Sequence, residues 1–360
     1  VLRLLYTNNG TAVLALSSNA VHKLWKWKRS AKNPHGVSTT AVAPELWQPA
    51  DGTLMINDTT DGNPEEAIAC NAISMTDCFT ISASGGKVKS FNLLNFKTVS
   101  TFVEPPPAAT FLAFHPNNKS IIVIGMDDSS IQIYNVQTRK IISKLMGHKK
   151  KITGLAFSLF MDLLVSSGAD VQLCAWNIDR WEKTKTTYIR PPSNHSGDLV
   201  GETMVYFDYG GKHLLVVHES QLAIYDGNLE CLRLVKWAPR DALSASISSA
   251  VYSSDSLLVY AGFCDGAIGI FEAECLRLQC RIAPSAYIPA SISSGGGSVY
   301  PMVVAAHPFK PYQFAVGMSD GAVHVLEPLD TDAEVGSSHS SGDNTHTAKS
   351  AETDGDSNQK

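Results

Sequence analysis

Residues 147–177 read GHKKKITGLAFSLFMDLLVSSGADVQLCAWN and contain three short apolar runs, ITGLAFS, LLVSSG and QLCAWN. Turn residues such as glycine and aspartate separate these runs, so the stretch predicts three consecutive β-strands. It opens with a Gly-His pair and closes with a Trp-Asn pair. The rest of the chain can be tested for repetition of this unit.

Four polar side chains stand at defined offsets in this stretch: His148, Ser166, Asp170 and Trp176. An indole N–H, a hydroxyl, an imidazole ring and a carboxylate can be joined by hydrogen bonds into one chain. A buried chain of this kind stabilises a fold only when every member is paired, so all four types must occur together. The pattern resembles a WD repeat, which has Trp-Asp in place of the Trp-Asn found here. We therefore predict a structural tetrad, in preference to a catalytic pairing of His148 with Asp170.

The six-residue spacing between Asp170 and Trp176 recurs along the chain. Six further units show it: Asn19 with Trp25, Gly85 with Phe91, Asp128 with Tyr134, Glu219 with Tyr225, Asp265 with Phe271, and Asp320 with Leu326. Most intervals are close to the roughly 40–45 residues of a WD repeat. Turns, and not helices, separate the strand-like runs. We predict an all-β fold, a seven-bladed WD-repeat β-propeller over residues 1–329, with blades ending near Trp25, Phe91, Tyr134, Trp176, Tyr225, Phe271 and Leu326.

Longer connections interrupt this rhythm at residues 26–67, 191–201 and 283–300. The first contains several prolines and is expected to hold one outer strand near Leu46-Trp47. Residues 330–360 are rich in Ser, Thr, Gly and Asp and contain almost no apolar side chains, which predicts a disordered tail.

The seventh unit ends at Leu326-Glu327 without an evident outer strand. Residues 1–5 could form the inner strand of the first blade or complete the seventh, and we favour the first of these. The missing outer strand would then lie upstream in a longer protein, an expectation that also fits a chain beginning with Val1.

Composition indicates an ordinary globular protein: 44% of residues are hydrophobic, 18% are charged and the formal net charge is −5. Seven cysteines are scattered without a C-x-x-C pair, which favours a reducing compartment and predicts neither disulfides nor a metal site. No apolar run is long enough to span a membrane. No cofactor is expected.

Several longer stretches resemble the C-terminal propeller of the plant Topless and Topless-related corepressors. They include PPPAATFLAFHP, IGMDDSSIQIYNV, SSGADVQLCAWN and LLVVHESQLAIY, and the resemblance runs from about residue 2 to residue 329. It implies a nuclear, non-catalytic transcriptional corepressor whose partners are transcription factors and corepressor or histone deacetylase components. Binding of leucine-rich repression motifs and oligomerisation belong, by the same resemblance, to regions absent from this chain.

Residues next to the turn acids should surround one end of the propeller channel and could bind a peptide partner. The candidate face consists of Asp127, Lys149, Lys150, Lys151, Ala169, His218 and Ser319. Most of them could equally be ordinary solvated turn residues. An acidic patch at Asp127-Asp128 would suit basic histone tails.

Two alternatives from other classes are weaker. Basic residues interleave with Trp25 and Trp27, which could indicate nucleic-acid binding, but Trp25 occupies the buried aromatic position of its blade. A propeller hydrolase is disfavoured because the chain has no G-x-S-x-G, P-loop or H-E-x-x-H motif. A generic WD-repeat scaffold of another intracellular complex remains the main alternative.

Overall fold

The computed structural model describes residues 1–59, 68–189, 202–236, 245–288, 299–328 and 348–352. These residues form 28 β-strands and one 3-10 turn, Pro284–Ala286, and the described part of the chain contains no α-helix. The strands assemble into seven antiparallel sheets of four strands each. The predicted all-β, seven-bladed architecture is confirmed.

The first four blades follow one another along the chain. Blade one contains β1 (Arg3–Tyr6), β2 (Ala12–Leu16), β3 (His22–Lys26) and β4 (Glu45–Trp47). Blade two contains β5 (Ala69–Ile73), β6 (Phe79–Ser84), β7 (Val88–Asn92) and β8 (Thr98–Phe102). Blade three contains β9 (Ala109–Phe114), β10 (Ile121–Met126), β11 (Ile131–Asn135) and β12 (Lys140–Leu145). Blade four contains β13 (Ile152–Ser158), β14 (Leu163–Gly168), β15 (Gln172–Asn177) and β16 (Glu182–Tyr188).

The last three blades repeat the same order. Blade five contains β17 (Met204–Phe207), β18 (Leu214–His218), β19 (Gln221–Tyr225) and β20 (Cys231–Lys236). Blade six contains β21 (Ile247–Tyr252), β22 (Leu258–Phe263), β23 (Ile268–Glu272) and β24 (Arg277–Ile282). Blade seven contains β25 (Pro301–Ala306), β26 (Phe314–Met318), β27 (Val323–Pro328) and β28 (Ala348–Glu352).

The core lies between neighbouring blades. The middle strands β2, β18 and β26 are buried along their whole length, because another blade covers each face of the sheet. These strands therefore read as unbroken apolar runs and not as an alternating pattern. Outer strands such as β12 and β16 are mostly exposed. The first strand of each blade contacts the first strand of the next, and β25 contacts β1, so the ring is closed.

Hydrogen bonds join blade seven to blade one. The amino group of Val1 donates to the carbonyl oxygen of Met318 at 2.9 Å. The connection after β3 reaches the same seam: the carbonyl of Ser38 accepts from Lys310 Nζ at 2.7 Å, and Thr40 Oγ1 donates to Glu327 Oε2 at 2.7 Å. The long connection in residues 26–67 thus contributes to ring closure.

The last blade differs from the expectation stated for its outer strand. That strand is β28, which pairs antiparallel with β27, and it comes from downstream in this chain and not from upstream. Because residues 330–360 are so polar, no apolar run marks this strand in the sequence. β1 is the inner strand of blade one. The other residues of the predicted tail, 330–347 and 353–360, lie outside the described residues, as do the connection 191–201 and most of 283–300.

The two ends of the propeller differ in the turns they carry. We call the end where the first strands begin the upper face; it includes the turns between second and third strands, residues 127–130, 169–171, 264–267 and 319–322. Backbone bonds from Asp127 to Ala108 and from Ala169 to Lys151 hold these turns against the start of the first strands. The opposite end, the lower face, carries the other hairpins of each blade.

Candidate functional site

The four side chains of the predicted tetrad are in contact in blade four. Trp176 Nε1 donates to Ser166 Oγ at 2.8 Å, and Ser166 Oγ lies 2.8 Å from His148 Nε2. His148 Nδ1 lies 3.1 Å from Asp170 Oδ1. The other carboxylate oxygen accepts from the backbone N–H of Lys149 at 2.6 Å. This series of hydrogen bonds therefore runs from the buried indole of Trp176 to the carboxylate of Asp170 at the upper face.

The pKa shifts of His148 and Asp170 favour a charged pair at the upper-face end of this series of hydrogen bonds. Burial is the largest single influence and lowers the pKa of His148, but the interactions with Asp170 and Cys174 together outweigh it and raise the pKa to about 9. Burial raises the pKa of Asp170, but bonds from His148 and from two backbone amides lower it below its usual value. When His148 is protonated, Nε2 donates to Ser166, whose own hydrogen can turn to the carbonyl of Cys174 at 3.5 Å. Every polar atom of the tetrad keeps a partner in either protonation state.

The residue six positions before the aromatic has one role in most blades and a second in blade four. Side-chain oxygens at this position accept from the backbone N–H two residues later, which stabilises the turn. This bond forms at Asn19, Asp128, Asp170, Asp265 and Asp320. Asp170 also pairs with a histidine ring of its own blade. The six-residue spacing therefore indicates a hydrogen-bonded turn. In blade four the same turn residue is also part of the tetrad.

A second buried histidine network joins blades one and two, and sequence analysis missed it. His22 Nδ1 lies 3.1 Å from the carbonyl of Met55, and Nε2 lies 2.9 Å from Ser82 Oγ. Asn57 Nδ2 donates to the same hydroxyl at 2.7 Å. Burial lowers the pKa of His22 to about 4, although the bond to Met55 opposes this shift. Ser82 lies 60 residues away, and no periodic signal links the two positions.

Most residues of the candidate face lie on the upper face. Asp127, Lys149, Lys150 and Ser319 are exposed, and Ala169 and Lys151 are partly buried. Two of these polar groups are already engaged: Asp127 Oδ1 accepts from the N–H of Ala108 at 3.0 Å, and Lys151 Nζ pairs with Glu202 at 2.7 Å. The structure therefore brings six of the seven positions to one end of the molecule.

His218 does not belong to this accessible set. Its side chain is 1% exposed, and Nδ1 lies 2.9 Å from Ser220 Oγ. It lies in the wall of the central channel, whose volume is about 620 Å³. Asn71 is also in this wall, and its amide atoms have no protein partner among the described residues. We therefore remove His218 from the surface available to a partner.

The described ranges of the chain lack two other kinds of feature. They contain no group of three or more His, Cys, Asp or Glu side chains placed to hold a metal ion. No helix within the same ranges is long and apolar enough to cross a membrane.

Comparison with known families identifies the class. Residues 139–177, which comprise the outer strand of blade three and the first three strands of blade four, match the family described as WD domain, G-beta repeat. With seven four-stranded blades and a Trp–Ser–His–Asp chain of contacts, the chain is a WD-repeat β-propeller.

Comparison with individual proteins is more specific. The chain is 67% identical over 351 residues to Protein TOPLESS-RELATED PROTEIN 2 of Oryza sativa subsp. japonica, covering 98% of this chain and 31% of that protein. It is 53% identical over 335 residues to Protein TOPLESS of Arabidopsis thaliana, covering 93% of this chain and 29% of that protein. The chain is a homologue of the Topless and Topless-related proteins, and it spans about three tenths of their length.

Proposed function

We propose that this propeller is a non-catalytic protein-interaction scaffold that contributes to transcriptional repression in the nucleus by docking regulatory partners on its upper face. The observation that carries the proposal is the homology to Topless and Topless-related proteins along almost the whole chain. Transcription factors, corepressor or histone deacetylase components and basic histone tails are the partner classes we propose. A generic WD-repeat scaffold of another complex is the second candidate.

The upper face has the chemistry of a docking surface. It carries exposed charges of both signs, Asp127 beside Asp128 and Lys149 beside Lys150. The tetrad and the turn bonds hold the backbone under these side chains, so a partner would meet a surface already ordered. A preorganised surface loses little conformational entropy on binding.

Nucleic-acid binding through the tryptophan-rich segment is not supported by its packing. Trp25 and Trp27 are 5% and 4% exposed, so neither ring can stack on a base. Among the neighbouring cations, Lys28 pairs with Glu45, and Lys26 Nζ lies 3.8 Å from the centre of the Trp47 ring.

The proposal is tested by capture from plant nuclear extract. The full 360-residue chain is immobilised beside a variant with Asp127→Lys and Lys150→Glu, and bound proteins are quantified by mass spectrometry. We expect repressor or deacetylase components on the unaltered chain and their loss from the variant.

A matched control variant carries Asp179→Lys and Lys212→Glu, the same charge changes at exposed positions of the lower face. It should retain the partners that the upper-face variant loses. Equal capture by all three chains, or no enrichment of nuclear repressors by any of them, would overturn the proposal.

A further inference from the structure

The hairpin between the third and outer strands contains one repeated position. In blades two to six this position has a positive φ: Phe96, Arg139, Trp181, Leu229 and Leu276, with φ between 55° and 59° at each. Four of the five side chains are apolar and one is a cation. Blade three therefore breaks the pattern.

The apolar side chains at this position fill the gap to the preceding blade. Phe96 packs edge-on against Trp47 of blade one, with ring centroids 4.9 Å apart. Trp181 lies edge-on to His115 of blade three at 6.1 Å. Leu229 and Leu276 are 3% and 1% exposed and belong to the clusters that join their blades to blades four and five.

At Arg139 the corresponding gap is open. A groove of about 400 Å³ lies between blades two and three, and its apolar lining includes Met75, Phe79, Val99, Phe102, Phe114 and Val136. Val99 and Met75 are 56% and 55% exposed. Exposed apolar surface in a concave site commonly marks a place where a partner binds.

The charges around this groove are positive. Arg139 and Lys119 both line it, and neither forms an ion pair with a carboxylate of the described residues. No Asp or Glu of the described ranges lines the groove. An occupant that satisfies the site must therefore supply an apolar side chain where the other blades supply their own, and a carboxylate beside it.

We propose that the groove between blades two and three binds a short peptide segment of a partner in which large apolar side chains alternate with acidic ones. The apolar side chain takes the place that Phe96 and Trp181 fill at their own gaps, and its carboxylates pair with Arg139 and Lys119. The inference rests on the proposed scaffold role, but it concerns a different surface from Asp127 and Lys150.

The test is fluorescence anisotropy with the full chain and a labelled peptide of about eight residues in which aspartate alternates with phenylalanine. Two further peptides carry lysine in place of aspartate, or serine in place of phenylalanine. We expect the acidic aromatic peptide to bind at least about tenfold more tightly than either, a difference that corresponds to roughly 1.4 kcal/mol.

Variants of the protein test whether peptide binding depends on the groove or only on the positive charge of the surface. Arg139→Leu fills the gap as Leu229 and Leu276 do and removes the cation, and we expect it to weaken binding at least about tenfold. Lys119→Glu should weaken binding as well. Lys140→Leu is the matched control, because Lys140 is exposed, adjacent in sequence and not part of the lining. It should bind as the unaltered chain does.

Three results would overturn the proposal: equal binding of the acidic and basic peptides, full binding by a folded Arg139→Leu chain, or self-association of the chain that Arg139→Leu abolishes. The last would make a second copy the occupant. Purified protein and synthetic peptides suffice for this test, so its failure is distinguishable from a failure of the nuclear capture.

Discussion

Asp170 connects the local turn to the buried tetrad. Its carboxylate accepts from the amides of Lys149 and Gln172 and pairs with His148, so it stabilises a turn, a strand start and a buried ring together. Asp320, at the same position in blade seven, accepts from the amide of Ala322 within its own turn. Two residues of one type in one repeat position can therefore differ in their contribution to stability.

Replacing Asp170 should expose this difference. We expect Asp170→Ala to lower the free energy of unfolding by roughly 1–3 kcal/mol, because it leaves His148 and two amides without their partner. Asp320→Ala is the matched control and should cost less, since the bond it removes is the local one to the amide of Ala322. Urea denaturation of both variants measures the difference. An Asp170→Ala chain as stable as the Asp320→Ala chain would contradict the structural role of the tetrad.

His22 makes stability depend on pH. Its pKa is about 4 in the folded chain, whereas a histidine in an unfolded chain has a pKa of about 6.5, so the unfolded chain takes up the proton first as pH falls. The contribution is fully present above about pH 6.5 and is lost as pH falls towards about 4. Burial also lowers the pKa of His307 to about 4, which adds to the same trend.

The variant His22→Gln should reduce this dependence. We expect the unaltered chain to lose about 2 kcal/mol more than His22→Gln between about pH 7 and about pH 4.5, since only the unaltered chain must keep a neutral imidazole at position 22. Unfolding free energies at several pH values measure the two slopes. Parallel slopes would show that His22 does not titrate as its burial indicates.

The strand hairpins explain why the repeat can be recognised so well in sequence. The turn residue and the aromatic six positions later act locally: one caps the hairpin, and the other coincides with a β-bulge against the outer strand in blades two to six. Local features leave a regular spacing, so blade number and order were predictable. The link from His22 to Ser82 and the strand β28 leave none, because they depend on contacts between distant segments.

Arg139 could be predicted from the sequence only in part. Its position follows Tyr134 by five residues, as Phe96 follows Phe91 and Trp181 follows Trp176. At this offset blades two, four and six have an apolar residue and blade three has a cation, whereas blade five has Glu230 and its apolar Leu229 comes one residue earlier. The open groove beside Arg139 required the structure, because only the packing of blade two against blade three shows that the gap stays open.

Gly168 provides the test of hairpin packing. A Cβ atom at this position would lie 2.5 Å from Asp170 Oδ1 and 2.6 Å from His148 Nδ1, so an alanine must displace the pair. We expect Gly168→Ala to destabilise the chain by about 1–3 kcal/mol. Gly210→Ala, whose nearest neighbour is Asp208 Oδ1 at 3.9 Å, is the control and should be nearly neutral.

A double variant with Gly168→Ala and Asp170→Ala tests whether the Asp170 carboxylate causes the loss of stability. In an Asp170→Ala chain the carboxylate that meets the new methyl group is absent, so the added cost of Gly168→Ala should fall. Thermal unfolding of the unaltered chain, both single variants and the double variant gives the coupling. Strict additivity would mean that the cost of the methyl group does not come from the Asp170 carboxylate.

The two surfaces that we propose for partners lie on different parts of the propeller. The upper face carries charges of both signs over hydrogen-bonded turns, and the groove on the side of the ring is apolar with a positive rim. This arrangement suits a scaffold that brings more than one protein together.

The most direct measurement is a reporter assay in plant cells with the full chain fused to a DNA-binding domain that recognises the reporter promoter. We expect the fusion of the unaltered chain to lower reporter expression severalfold. The variant with Asp127→Lys and Lys150→Glu should restore reporter expression, and the variant with Asp179→Lys and Lys212→Glu should leave it lowered. All three fusions must accumulate equally in the nucleus. Unchanged expression with the unaltered chain, or equal repression by both double variants, would contradict the role of the upper face in repression.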